Sequence, residues 1–249
     1  MKGRRRDAMT VVEHLEELRR RLIWSLVALG VGAGVGFYLE RPILAFLLRP
    51  AFPLGVHKLV FLSPTEALFT YIKISMVVGA ILASPVWLYQ FVAYVLPAMA
   101  ARERRYLYLS LPPVVLLFVA GLAFGYFVFV PMVFRFLFRF AGPELVPMLS
   151  ISKYISSLLS FTLPFGVVFE LPAVVALLTR LGVISAAFLR RQRRWAILLI
   201  FVVAAIFTPP DPFSQLVMAS PMLVLYEASI LVAAAVERRR PQPAADADD

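Results

Sequence analysis

Long runs of apolar residues, separated by short polar and basic connections, dominate the pattern of this chain. A membrane-spanning α-helix needs about 20 mostly apolar residues, because each residue rises about 1.5 Å and the hydrocarbon core is about 30 Å thick. The pattern therefore predicts an all-α membrane protein with six transmembrane helices. The apolar segments are 22–39, 67–95, 106–130, 155–178, 195–207 and 213–236.

The fifth apolar segment differs from the others in its length. Its 13 residues, 195–207, would rise about 20 Å, which is less than the hydrocarbon core. The turn "TPPDP" at 208–212 joins it directly to the sixth segment. The sequence thus predicts that short fifth and sixth helices form an antiparallel hairpin.

Helix starts and chain ends complete the predicted organisation. The stretch "VVEHLEELRRRL" predicts an amphipathic interfacial helix that runs on into the first span, and "TVVE" at 10–13 and "SPTE" at 63–66 predict capping boxes. The expected divisions are a basic tail over 1–9, a six-helix transmembrane domain over 10–236 and a disordered tail over 237–249.

Composition supports a membrane protein and excludes several other classes. Hydrophobic residues make up 61% of the chain, against about 45–50% in soluble domains. The net charge of +10 comes from basic residues that cluster between apolar runs, which argues against nucleic-acid binding. With no cysteine and two histidines predicted on opposite sides, the chain shows no metal site, cofactor site or nucleophile with a base. It is therefore not expected to be an enzyme.

Basic residues also predict the orientation. Counting Lys and Arg in alternate connections gives eighteen on one side and six on the other. Cytoplasmic connections carry the excess. Both termini and the connections 96–105 and 179–194 are therefore expected in the cytoplasm.

Several ionisable or polar residues inside the apolar segments require an explanation. Glu170 lies within the fourth segment, where a charge costs at least about 2.5 kcal/mol, and flanking prolines predict a kink there. It is either a functional group facing a polar cavity or a packing residue. Lys73 and Glu227 either have a function or reach the membrane boundary. Thr208 and Gln215 either bind a polar group on another helix or cap the hairpin.

Acidic residues on the predicted cytoplasmic side have local basic partners. Glu103 stands among three arginines, and Glu16 with Arg20 or Glu17 with Arg21 has the i, i+4 spacing of surface pairs. Each acid is thus either part of a solvated charged surface or a ligand-binding group.

Five motifs in order resemble the TatC family, the multispanning receptor subunit of the twin-arginine protein translocase. The resemblance covers residues 10–236 and implies a receptor for twin-arginine signal peptides of folded proteins in the cell (plasma or inner) membrane. It also implies single-span partners of the TatA and TatB type, further copies of the chain and export driven by the proton-motive force. The motifs are "HLEELRRRL", "SPTEALFTYIK", "SPVWLYQFVAYVLPAMAARERR", "FGVVFELP" and "FTPPDPFSQ".

The resemblance also implies roles for particular residues. Glu17, Tyr94 and Glu103 match signal-binding positions, and Glu170 matches an intramembrane glutamate. Thr208 and Gln215 match polar hairpin positions associated with partner helices. Many relatives have phenylalanine where Tyr94 stands.

The paired-carboxylate chemistry suits such a signal. A guanidinium is a rigid planar fork that pairs with a carboxylate in a way that lysine cannot copy. Two adjacent arginines are therefore best recognised by two carboxylates on separate elements, here Glu17 and Glu103.

A secondary transporter is the alternative function, with Lys73, Glu170 and Glu227 as a proton relay. Against it, the chain shows no inverted repeat and few polar residues within its spans.

Overall fold

The computed structural model describes the backbone of residues 11–54, 59–95, 101–139 and 148–238, and the side chains of 12–52, 59–94, 111–139 and 148–238. These residues are almost entirely helical, with one isolated β-bridge between Val60 and Ser150. The α-helices are α1 (Val11–Tyr38), α2 (Glu40–Leu48), α3 (Glu66–Leu82), α4 (Ser84–Val95), α5 (Ala101–Phe124), α6 (Val130–Arg139), α7 (Ile151–Val168), α8 (Leu171–Leu181), α9 (Ala186–Arg191), α10 (Arg193–Phe207) and α11 (Pro212–Arg238). A 3₁₀ helix covers Arg49–Leu54, and a π-helical turn covers Gly125–Phe129.

Among the described residues, four helical runs are long and apolar enough to cross a membrane: Val12–Tyr38, Leu111–Arg139, Ile151–Leu181 and Pro212–Arg238. A fifth consists of α3 and α4, which are bent by 56° relative to each other. The all-helical membrane architecture is thus confirmed with four to five candidate spans. The 15 residues of α10 rise about 22 Å, so a sixth crossing stays a prediction.

The bend between α3 and α4 has a local cause. Pro85 lacks a backbone N–H and restricts the residue before it, so the α3 helix ends at Leu82. The Trp87 indole N–H donates to the Ala80 carbonyl oxygen at 2.9 Å and satisfies a group near the break.

Two compact units divide the described residues. The first contains those up to Phe46 and Thr65–Val115, and the second contains those of Leu47–Pro64 and those from Leu116 onward.

The first unit is held together by close packing of α1 on α3. A Cβ atom added to Gly32 would lie 2.7 Å from the Gly79 carbonyl oxygen, and one added to Gly36 would lie 2.9 Å from the Ser75 carbonyl oxygen. Small residues four apart let helix backbones approach closely, as in many membrane interfaces. This contact fixes the helix that carries Glu17.

In the second unit, the end of α5 and the π-helical turn pack on α7. A Cβ atom on Gly121 would lie 2.3 Å from the Phe165 carbonyl oxygen, and one on Gly125 would lie 2.9 Å from the Thr162 Cα atom. The Phe129 and Phe165 rings, with centroids 5.0 Å apart, fill the core beside this contact.

The second unit also contains the α10–α11 hairpin. The fifth predicted helix is short, but the prediction of a short sixth helix is wrong, since α11 has 27 residues. Pro221 does not interrupt α11, because the Ser220 hydroxyl donates to the Val217 carbonyl oxygen at 3.1 Å. That carbonyl is the one whose usual partner would be the missing N–H of Pro221.

The predicted capping box at 63–66 is not formed. Thr65 is the N-cap residue of α3 and makes no side-chain cap hydrogen bond. Its backbone is in the right-handed helical region, with φ −86° and ψ −14°, rather than the extended conformation typical of a capping residue. The predicted box at the start of α1 includes Thr10, which is outside the described residues.

Candidate functional site

Glu17 and Arg21 form an ion pair on one face of α1. The i, i+4 spacing brings them together, as the sequence predicts. Arg21 Nε donates to Glu17 Oε1 at 2.9 Å, and Arg21 Nη2 donates to the same oxygen. Arg21 Nη1 donates to Gln90 Oε1 on α4 at 3.0 Å. The guanidinium thus fixes the carboxylate and ties α1 to α4.

The second carboxylate oxygen of Glu17 is in a different state. Oε2 is buried and accepts no hydrogen bond from the described residues, and the side chain is 11% exposed. Leaving a buried charged oxygen unpaired is costly. A ligand that brings a hydrogen-bond donor to Oε2 would recover that cost.

Tyr94 lies on the same pair of helices. Its ring stacks on the His14 ring with centroids 4.5 Å apart and an interplanar angle of 18°. His14 precedes Glu17 by three residues, so both lie on the α1 face that meets α4. The structure therefore brings Glu17 and Tyr94, two predicted site residues, to one helix–helix contact.

A groove of about 610 Å³ borders the charged end of α1. Acidic, basic and aromatic side chains line it, so it can accept a ligand with both cationic and apolar parts. The lining residues are Glu13, Glu16, Glu17, Arg19, Arg20, Ile23 and Trp24.

The side chain of Glu103 lies outside the described residues. Its backbone belongs to the first turn of α5, which begins at Ala101. Its predicted pairing with Glu17 around one ligand stays a prediction.

Sequence reasoning missed three members of this cluster: His14, Arg21 as a bridge, and Gln90. Gln90 offered a signal, because it is a polar residue inside the apolar segment 67–95. Its pairing with Arg21 joins positions 69 residues apart and depends on helix packing.

Glu170 occupies an interruption in the fourth predicted helix. A turn at Phe169 and Glu170 separates α7 from α8, with proline in the first turn of α8, at the place where the sequence predicts a kink. Glu170 is 8% exposed and its Oε1 has no hydrogen-bond partner among the described residues. The backbone of Phe118 hydrogen-bonds to the carboxyl group. The carboxyl is therefore partly satisfied inside the second unit.

The other two members of the alternative relay have ordinary surroundings. Glu227 Oε2 accepts from Arg193 Nη2 at 2.7 Å, and both side chains are about half exposed. Lys73 is exposed on α3.

Both predicted hairpin residues are engaged within the second unit. The Thr208 hydroxyl is buried and donates to the Ala204 carbonyl oxygen at 2.9 Å. Gln215 Nε2 donates across the hairpin to the Phe201 carbonyl oxygen at 3.1 Å. The hairpin-capping role left open by the sequence is therefore present, and the partner-helix role stays a prediction.

The described residues contain no group of three or more His, Cys, Asp or Glu side chains placed to hold a metal ion. Long apolar helices define a multi-pass membrane protein, and a groove with charged walls borders the end of α1.

Comparison with known proteins identifies the family. The family model described as Sec-independent protein translocase protein (TatC) matches residues 13–221. The chain belongs to the TatC family and is a subunit of the Sec-independent protein translocase. Its relatives are translocase components rather than enzymes.

Individual relatives match over nearly their full length. TatC of Carboxydothermus hydrogenoformans is 44% identical over 226 residues, which cover 90% of this chain and 93% of that protein. TatC of Aquifex aeolicus is 40% identical over 235 residues, covering 93% and 98% respectively. A crystal structure of the twin arginine translocase receptor TatC superposes with a TM-score of 0.83 and 41% identity. It covers 91% of this chain and 100% of the solved chain.

Proposed function

We propose that this chain is the signal-receptor core of a twin-arginine translocase. It binds the twin-arginine signal peptides of folded proteins at the cytoplasmic end of α1. It then assembles with TatA- and TatB-type single-span proteins, and with further copies of itself, for export driven by the proton-motive force.

The state of the Glu17 carboxylate is the observation that carries this proposal. Arg21 occupies Oε1 and leaves buried Oε2 without a donor. An incoming guanidinium binds at Oε2 while Arg21 keeps the carboxylate in place. Glu103 binds the second arginine of the signal. The Tyr94 ring, on α4, stacks on a side chain of the signal peptide.

Site-specific crosslinking of a twin-arginine signal peptide to the full chain in membranes tests this proposal. Glu17→Gln and Glu103→Gln should each lower the crosslinking yield by about ten- to a hundredfold, since one charge-assisted hydrogen bond is worth about 1.5–3 kcal/mol. Glu227→Gln is the control, because it makes the same charge change at a half-exposed position of α11 that does not line the groove at α1. A twin-lysine signal should bind weakly to the unaltered chain.

The result is decisive when the variants reach normal membrane levels. Equal crosslinking of Glu17→Gln and Glu227→Gln would remove Glu17 from the site. Loss of crosslinking in all three variants to the same extent would point to general charge and contradict a specific carboxylate pair.

We also propose six spans with both termini in the cytoplasm, over the transmembrane domain 10–236 with tails at 1–9 and 237–249. The chain has no cysteine, so single-cysteine variants give a clean labelling assay. The Ala187→Cys variant, at an exposed position before α10, should react with an impermeant maleimide only after the membrane is opened. The Met148→Cys and Pro210→Cys variants, also at exposed positions, should react in intact cells. Protection of the Pro210→Cys variant in intact cells would contradict a crossing by α10.

The hairpin supports the partner-binding part of the proposal. A helix of about 22 Å in a bilayer core of about 30 Å favours local thinning or cover by another helix. Thr208 and Gln215 belong to this part of the proposal as hairpin residues for partner-helix binding, and Glu170 is proposed separately as an intramembrane polar site. Lengthening α10 by one turn should lower crosslinking to a TatB-type helix while leaving signal crosslinking intact.

A further inference from the structure

A groove of about 1070 Å³ lies beside α6 in the second unit. Its walls are aromatic and aliphatic side chains, and its charged groups are two guanidiniums. No carboxylate lines it among the described residues. The lining used below comprises Phe127, Met132, Arg135, Phe136, Arg139 and Phe213.

The two guanidiniums give the groove a positive charge that no described carboxylate in the groove balances. Arg135 and Arg139 are exposed and one helical turn apart on α6. Neither forms an ion pair with a described side chain. Guanidinium forks bind phosphate oxygens well, and here they face no internal competitor among the residues described.

The position of this groove near the end of a long helical run suits a lipid headgroup. The run Leu111–Arg139 has 29 residues and a length of about 43 Å, against about 30 Å for the hydrocarbon core. Its end therefore reaches the headgroup level. Arg135 and Arg139 lie in that last part, while the preceding turns face acyl chains.

The π-helical turn shapes the apolar part of the groove. Such turns are rare overall, but those that occur are often found at functional sites. The extra residue in the turn changes which side chains face outward. Phe127, within the turn, is 64% exposed, and Met132 on α6 is 47% exposed. These side chains line the groove on the apolar side of the arginines.

We propose that this groove is a binding site for an anionic phospholipid. Its phosphate pairs with Arg135 and Arg139, and one acyl chain lies along Phe127 and Met132. A net negative headgroup is favoured over a zwitterionic one, since no described carboxylate in the groove receives an ammonium group.

Bound lipid would also connect two parts of the second unit. The Phe136 ring on α6 stacks on the Phe213 ring at the start of α11, with centroids 3.6 Å apart and an interplanar angle of 18°. Both rings line the groove. A lipid seated there contacts both helices and stabilises their association.

Native mass spectrometry of the purified full chain tests the site with phosphatidylglycerol and phosphatidylcholine. Double substitution Arg135→Gln/Arg139→Gln should weaken phosphatidylglycerol retention by about tenfold or more, given two lost cationic groups near the lipid phosphate. The control Arg190→Gln/Arg191→Gln removes the same charge from exposed positions of α9 and should leave retention unchanged. Inorganic phosphate should not displace the lipid, because it lacks the acyl chain.

Three results would overturn the proposal: equal retention of both lipids, equal loss in the control, or undiminished retention in the groove variant. A photoreactive residue at Met132 gives a second readout with both arginines intact. It should crosslink phosphatidylglycerol in preference to phosphatidylcholine. Absence of that preference would refute the site even where the double variant folds poorly.

Discussion

The glycines of α1 allow a direct test of the helix packing that positions Glu17. Gly32→Ala places a Cβ atom 2.7 Å from the Gly79 carbonyl oxygen and 3.0 Å from its Cα atom. Ordinary contacts are about 3.5 Å or longer, so the helices must separate by roughly 0.8 Å. The obstructing atoms are backbone and cannot rotate away. Overpacking of this kind costs about 1–3 kcal/mol.

Gly30→Ala is the matched control on the same helix. A Cβ atom at Gly30 meets nothing within 4 Å, so this variant keeps only the gain in helix propensity, up to about 1 kcal/mol. Gly32→Ala has the same gain and also bears the clash. The difference between the two variants therefore isolates the α1–α3 contact.

Heating in mild detergent, followed by size-exclusion chromatography, measures the midpoint temperature, at which half of the folded monomer is lost. At about 2–4 °C per kcal/mol, Gly32→Ala should have a midpoint roughly 2–12 °C below that of Gly30→Ala. Gly36→Ala and Gly34→Ala should repeat the contrast, since Gly34 is also open. Equal midpoints in both pairs would refute the described packing.

Three further predictions concern single polar contacts, each read from the same midpoint. Gln215→Leu removes the side-chain donor to the Phe201 carbonyl oxygen and should cost about 0.5–1.5 kcal/mol, whereas an unchanged midpoint would contradict that bond. A double-mutant cycle with Arg193→Gln and Glu227→Gln should give a coupling below about 1 kcal/mol, because the pair is half exposed. A coupling well above that range would show a desolvated pair. Glu170→Gln keeps an acceptor for the Phe118 backbone and should not lower the midpoint, so a fall of several degrees would argue for an essential carboxylate.

Hydrophobic length predicted the helices well but not their interruptions. The apolar length of segment 67–95 predicts one straight span, although Pro85 carries the signal for the bend between α3 and α4. The π-helical turn Gly125–Phe129 had no signal, because an uninterrupted apolar stretch reads the same in α and π geometry. Local chemistry thus explains the first error, and tertiary packing against α7 decides the second.

The recognition cluster was predictable where it is local. The spacing of Glu17 and Arg21 on one helix predicted their ion pair. The stack of His14 on Tyr94 and the bond to Gln90 require two helices that meet in three dimensions, which a single sequence does not specify.

Unpaired buried oxygens separate functional groups from packing groups only when a second observation accompanies them. Thr162 and Thr179 have hydroxyls without partners among the described residues, but neither lines either of the two grooves described above. Glu17 combines an unpaired oxygen with a fixed partner and a neighbouring groove. Glu170 combines one with a break in its helix. Those two are therefore stronger candidates than burial alone would make them.

Under the proposed function, a partner helix bonds to hairpin atoms that have no hydrogen-bond partner within the hairpin. Thr208 and Gln215 already use their donors on carbonyl groups within the hairpin. Asp211 Oδ1 accepts the Ser214 backbone N–H at 2.7 Å and caps α11, but Asp211 Oδ2 and the Ser214 hydroxyl are buried without partners in the described part of the chain. A polar side chain on a partner helix would gain most by bonding to these two atoms. Thr208 and Gln215 would then act by holding the hairpin in the shape that presents them.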